Sequence, residues 1–144
     1  MSAERFFLDT SFLQALYSRE DQLHQRALEW NRRVVRARQV VSTEAVMIEL
    51  GNALSAIDRA RAAEAVERFL NASSANGGVV RIVPVDSALL RRGLRFYSSR
   101  RDKDWGLTDC ISFEVMREMG LTDALTADRH FVQAGFRAML LEKG

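Results

Sequence analysis

The chain has 144 residues, of which 47% are hydrophobic and 28% charged, and its formal net charge is +2. That length supports the core of one domain, expected to span residues 1–144, and the balance excludes disordered, collagen-like and membrane-embedded classes. One cysteine, Cys110, excludes a disulfide scaffold or a zinc ribbon. With only His24 and His130 beside it, a soft-ligand metal site is not expected either.

The N-terminal stretch MSAERFFLD has no basic region followed by a long apolar run, so neither a secretory signal nor a membrane span is expected, and the cytoplasm is the expected location. RFFL (5–8) is a short apolar run closed by Asp9, Thr10 and Ser11, which reads as a buried strand ending in a polar turn. FLQALY (12–17) is helical, and residues 21–38 carry Leu23, Ala27, Trp30 and Val34 at helical spacing. QVVS (39–42) is β-branched and short, a second strand. Behind Ser42 or Thr43 as cap, residues 42–57 place Val46, Leu50, Ala53 and Ile57 on one helical stripe.

Residues 60–72 form the next predicted helix and NASSANGG (71–78) a loop. VVRIVPV (79–85) is a strand whose Pro84 argues for a sheet edge or a strand end, because proline cannot donate to the ladder. Asp86 then caps a helix to about Ser98, a charged loop follows, and Thr108 begins another helix with Ile111, Val115 and Met119 on one stripe. DALTA (123–127) and FRAML (136–140) are the last strand candidates, with a helical turn between them. Strands alternating with helices predict an α/β chain with a mostly parallel sheet covered on both faces, and ligands in such sheets sit beyond the carboxyl ends of the strands.

Acids stand at those ends. Asp9 follows the first strand, Asp128 follows DALTA, and Asp109 lies in the first turn of the helix after residue 107. Each alone has a local explanation as a helix cap or an Asx turn. Glu49 falls beside Val46 and Ala53, on the margin of the apolar stripe, where a carboxylate is partly desolvated and needs a partner, an arginine or a metal. Converging carboxylates would repel by about 4 kcal/mol per close pair at an effective dielectric near 20. A cation relieves that repulsion, and oxygen-rich donors suit Mg²⁺ or Mn²⁺, ions that polarise a phosphate and lower the pKa of a water. No glycine-rich phosphate loop is present.

FLDTS (7–11), IELGNAL (48–54), LTDCISF (107–113) and LTADRHF (125–131) together resemble the PIN-domain ribonucleases, especially the VapC-type toxins of bacterial toxin–antitoxin pairs. The resemblance implies a three-layer α/β/α fold with a central parallel sheet of four or five strands, and an endoribonuclease that cleaves RNA with a metal-activated water. Carried onto this chain, its acidic quartet for Mg²⁺ or Mn²⁺ falls on Asp9, Glu49, Asp109 and Asp128, flanked by the hydroxyls of Thr10, Thr108 and Thr126. It also implies an RNA substrate, an antitoxin protein as partner and a homodimer. Arg100, Arg101, Lys103 and Arg129 are nearest in sequence to the acids and are the candidates for RNA phosphates.

The other acids sort differently. The resemblance puts the strand before Asp86 at the sheet edge, so Asp86 is read as a helix cap, whereas Asp102 and Asp104 lie in the loop before Asp109, with Asp104 the better placed to reach the site. His130 reads as structural, since a metal-activated water needs no histidine base. Three other readings stand beside the nuclease. A dehalogenase-type phosphatase also begins strand-Asp but wants a second aspartate where this chain has Ser11. A PIN-like scaffold would bind RNA or protein without cleaving. An enzyme built on Cys110 lacks a matching histidine pair, and Cys110 is most simply a small buried hydrophobe.

Overall fold

A computed structural model describes residues 3–73 and 78–142. Five strands form one sheet in the order β3-β2-β1-β4-β5: β1 is Arg5–Leu8, β2 Gln39–Thr43, β3 Val80–Val83, β4 Asp123–Leu125 and β5 Arg137–Ala138. Every pairing is parallel. The register sets Phe7 opposite Val41 on one side and Ala124 on the other, so β1 is central and its side chains are buried on both faces. A parallel strand covered on both faces must be nearly all apolar, which explains why RFFL does not alternate.

Among the described residues seven helices surround the sheet: α1 Thr10–Tyr17, α2 His24–Val34, α3 Glu44–Ser55, α4 Arg59–Ala72, α5 Ser87–Ser99, α6 Leu107–Met119 and α7 Arg129–Gln133. The chain steps from β1 to β2 to β3 in one direction along the sheet and from β3 past β1 to β4 and β5 in the other. Right-handed crossovers therefore put α1–α4 on one face and α5–α7 on the opposite face. The predicted three-layer α/β/α architecture is what the chain adopts. Among the described residues no helix is long and apolar enough to cross a membrane.

The helix starts follow their caps. Thr43 accepts from Val46 N at 3.1 Å, Asp58 from Arg61 N at 3.1 Å and Asp86 from Leu89 N at 2.8 Å, so the expectation for Asp86 holds and β3 is an edge strand that ends before Pro84. Several boundaries differ from the sequence reading. Residues 21–23 are outside α2 because the Asp21 carboxylate takes the Leu23 backbone NH at 2.8 Å, a local turn that competes with the helix. The stripe of α3 is Val46, Met47, Leu50 and Leu54; Ile57 lies past the helix end and is 55% exposed. FRAML yields only two strand residues before a 3-10 turn at Met139–Leu141, since the Leu140 NH turns back to the Thr126 carbonyl at 3.1 Å. Of the predicted loop NASSANGG, residues 74–77 lie outside the described residues.

An aromatic cluster stiffens the face that carries α5–α7. Phe113 of α6 sits edge-on to Trp105 at 5.1 Å and to Phe131 at 4.9 Å, and Phe131 in turn lies 6.2 Å from Phe7 of β1. Edge-to-face pairs of this kind contribute about 0.5–1.5 kcal/mol each beyond their burial. Their effect on the site is positional: they tie the loop before α6, the turn before α7 and the central strand into one body.

Candidate active site

Strands β1 and β4 are neighbours whose following connections leave to opposite faces, and such a switch point opens a crevice at the carboxyl edge. Asp9 stands at the end of β1. It occupies the cap position of α1 yet makes no side-chain cap bond, so helix capping does not account for its carboxylate. The residue is buried, with 6% of its surface exposed. Thr126 Oγ1 donates to its Oδ2 at 2.7 Å, Ser11 Oγ donates to the same oxygen at 3.2 Å, and the two hydroxyls are 3.1 Å from each other. Thr126 Oγ1 also accepts the Asp128 backbone NH at 3.0 Å, which couples the end of β4 to the end of β1.

Asp109 enters from α6, where its Oδ2 accepts the Gly106 backbone NH at 3.1 Å, the reach-back of a capping arrangement. Asp128 enters from the turn after β4 and caps α7 by accepting the His130 backbone NH at 2.8 Å. The His130 ring closes the group: Nδ1 is 3.0 Å from Asp109 Oδ2 and 3.3 Å from Asp128 Oδ1. Asp109, Asp128 and His130 each offer a ligand atom, and the three atoms lie within 4.8 Å of one another.

Burial pushes the Asp9 carboxyl up to about 6. The Thr126 hydroxyl and the Thr10 backbone NH oppose that rise, and the charges of Asp109 and Asp128 add to it. Asp109 is also raised, first by burial, against hydrogen bonds from His130 and Gly106. An anion held this far from water beside two others favours a cation.

Glu49 departs from expectation. It is exposed, on the outward side of α3 next to Ile48, which is itself 65% exposed, because the helix buries Val46, Met47 and Leu50 instead. Its side-chain partner is Thr10, the residue after Asp9, whose Oγ1 donates to Glu49 Oε1 at 2.9 Å. Of the three predicted threonines, Thr10 and Thr126 touch acids, while Thr108 is half-buried beside Asp109 with no side-chain bond to an acid among the described residues. Asp104 is exposed. Asp102 is engaged twice over by Arg100, Nε to Oδ1 and Nη2 to Oδ2 at 3.0 Å each, and Arg100 also lies 5.0 Å over the Trp105 ring. Arg101 and Arg129 are exposed and Lys103 half-buried, with no acid paired to any of them among the described residues.

Two residues outside the predicted set touch the acids: Ser11, a first-turn serine whose local sequence carries no sign of it, and His130, expected to be structural, whose ring meets both Asp109 and Asp128. Cys110, adjacent to Asp109, is fully buried, and burial pushes its thiol up to about 11, so it stays protonated and unreactive at neutral pH. Two clefts of about 330 Å³, one lined by Arg19, His24, Arg61 and Arg68 and the other by Phe12, Val35, Phe69 and Val79, contain none of the four acids.

A family model described as the PIN domain matches residues 6–137. The chain belongs to the PIN domain family. Among solved structures, this PIN domain is similar to VapC20 of Mycobacterium tuberculosis, a Sarcin-Ricin loop cleaving toxin, with 28% identity and a TM-score of 0.78 over 91% of this chain and 95% of that one. It shares its fold with VapBC2 of Rickettsia felis, solved bound to a DNA fragment from their promoter, at 13% identity and TM-score 0.61 over 94% of this chain and 97% of that one. FitAcB of Neisseria gonorrhoeae is similar at 19% identity and TM-score 0.59, covering 92% and 94%. A comparison with curated proteins gives no match.

Proposed function

We propose that this PIN domain is a metal-dependent endoribonuclease, the toxin of a toxin–antitoxin pair acting on RNA in the cytoplasm. The observation that carries the reading is the convergence of Asp9, Asp109 and Asp128, from three separate elements, on the switch-point crevice. The donor set fits Mg²⁺ or Mn²⁺: carboxylates dominate it, and the buried Asp9 gains most from a neighbouring cation. Asp9, Asp109 and Asp128, with Glu49 at the margin, would hold a divalent ion, which when bound would polarise the scissile phosphate and lower the pKa of a water.

The rest of the work falls to the chain. Thr126 and Ser11 hold one Asp9 oxygen and leave the carboxylate aimed at the crevice, and Thr10 holds one Glu49 oxygen. Arg101, Lys103 and Arg129, near the acids in sequence, take backbone phosphates, whereas Arg100 is committed to Asp102 and Trp105 and shapes the loop. An antitoxin protein is the proposed partner. A second copy of the chain is the other, covering Leu90, Leu94 and Tyr97, which lie on one side of α5 and are 43%, 49% and 46% exposed.

Purified protein incubated with RNA should cleave it in the presence of Mg²⁺ or Mn²⁺ and not with chelator, and Asp9→Asn should abolish the cleavage. A sarcin–ricin loop RNA, the target named for VapC20, is the first substrate to try. RNA binding with no product in either ion would instead favour the non-cleaving scaffold.

A further inference from the structure

We propose that His130 is a metal ligand of this site, contributing Nδ1 beside Asp109 and Asp128, and that this nitrogen biases the site away from Mg²⁺ and toward Mn²⁺. The inference rests on the metal-dependent reading above. Its warrant is geometric. Two donors on adjacent corners of an octahedron with bonds near 2.1 Å are about 3 Å apart. His130 Nδ1 lies 3.0 Å from Asp109 Oδ2 and 3.3 Å from Asp128 Oδ1, so the ring nitrogen stands at the spacing of a neighbouring ligand from each carboxylate, and the three residues' ligand atoms lie within 4.8 Å of one another.

The ring is held at that place by its own element. The His130 backbone NH is bound by Asp128 Oδ1, and the next residue, Phe131, is fully buried against Phe7 and Phe113. A side chain placed by two such anchors reaches the crevice without a rearrangement of α7. In the metal-free protein Nδ1–H donates to the Asp109 carboxylate; ligation exchanges that proton for the ion and leaves Nε2 protonated, the other tautomer of a neutral imidazole. The second oxygens, Asp109 Oδ1 and Asp128 Oδ2, make no hydrogen bond among the described residues and can turn toward the same ion.

The chemistry then separates two ions of similar charge and size. Mg²⁺ takes oxygen donors and keeps its waters, so an imidazole adds little to its binding. First-row transition ions accept imidazole nitrogen, with affinity rising from Mn²⁺ onward. An all-carboxylate site would treat Mg²⁺ and Mn²⁺ alike in this respect, and a site with His130 does not.

The deciding experiment is pulsed electron paramagnetic resonance of the protein loaded with one equivalent of Mn²⁺, joined to calorimetric titration of the chelated protein with Mn²⁺ and with Mg²⁺. Wild type should show nitrogen hyperfine coupling to the bound Mn²⁺, and His130→Asn, which keeps a polar group at the Nδ1 position, should lose it. Affinity for Mn²⁺ should fall about tenfold in His130→Asn while that for Mg²⁺ changes by less than about twofold. Bound Mn²⁺ without nitrogen coupling in wild type overturns the proposal and leaves His130 as a clamp on two carboxylates. Equal losses for both ions overturn it as well. These outcomes are independent of the ribonuclease reading, which fails only if no divalent ion supports cleavage.

Discussion

At Asp9 a single carboxylate carries opposing demands from folding and from the site. With its pKa raised from 3.8 to about 6 by burial, its contribution to stability is fully present below the unfolded value and is lost as pH rises through about 6. In the metal-free protein the charged form therefore costs up to about 3 kcal/mol at pH 8, an upper bound from the size of the shift. Asp9→Asn keeps an oxygen for the Thr126 and Ser11 hydroxyls and removes that charge. It should raise the thermal midpoint in chelator at pH 8, and the advantage should shrink at pH 5, where Asp9 is mostly protonated; calorimetric scans at the two pH values check this. The same proton competes with the cation, so the metal concentration needed for half-maximal cleavage should climb as pH falls from about 7 to 5.

Thr126 is the other residue with a distinct forecast. Its hydroxyl is the shared contact of Asp9, Ser11 and the Asp128 NH, and the residue has no exposed surface. Thr126→Val should cost about 1–3 kcal/mol through groups left unpaired and lower cleavage by about 10- to 100-fold through loss of carboxylate orientation. Denaturant melts and single-turnover RNA assays measure the two effects separately. Cys110→Ala, by contrast, should leave metal-dependent cleavage intact.

At the level of elements, the site depends on how closely α5 and α6 approach. A Cβ at Gly93 would come within 2.6 Å of Ile111 Cγ1 and 3.4 Å of the Ile111 Cα, so the two helices meet backbone to side chain at that point. Gly93→Ala should destabilise by about 1–3 kcal/mol, and Ile111→Ala, which removes the Cγ1 that the new methyl would meet, should cost less in the Gly93→Ala chain than in wild type, as read from urea midpoints. The shift would also move Asp109, which is two residues from Ile111 on α6. Phe113 matters for another reason. It joins Trp105, Phe131, Phe136 and Phe96, so Phe113→Ala should cost about 3–5 kcal/mol and loosen both α6 and α7 around the acids.

Across the whole molecule, charge and surface divide the work of recognition. Each of Arg101, Lys103 and Arg129 that neutralises a phosphate should contribute about 0.7 to the slope of log affinity against log salt for single-stranded RNA. Replacing one of them by alanine should lower that slope in filter binding with a non-cleaving variant. Arg100→Ala should change the slope less, because its guanidinium is already shared between Asp102 and the Trp105 ring. Leu94→Glu on the exposed side of α5 should convert the proposed homodimer to a monomer in light scattering, since a charge there opposes burial against its own copy.

The order of elements and the position of each acid were legible in the sequence, because both are local properties. A buried parallel strand has to be continuously apolar, as RFFL and QVVS are, and a carboxylate right after such a strand has to emerge at its carboxyl end. The four short motifs were enough to suggest the family. What the sequence could not express is which strands are neighbours. The order β3-β2-β1-β4-β5 sets β1 against β4, and only that pairing lets Thr126 bond Asp9 across 117 residues. Glu49 shows the limit of a helical stripe as a measure of burial: its neighbours' packing left it exposed, and the hydroxyl of Thr10, from another helix, holds it. His130 shows the same limit for chemistry. Nothing within α7 marks the ring as more than a solvated side chain, and its role arises because the fold delivers Asp109 from α6 to within hydrogen-bond distance. Burial and convergence depend on contacts remote in the chain, and those are decided by tertiary packing.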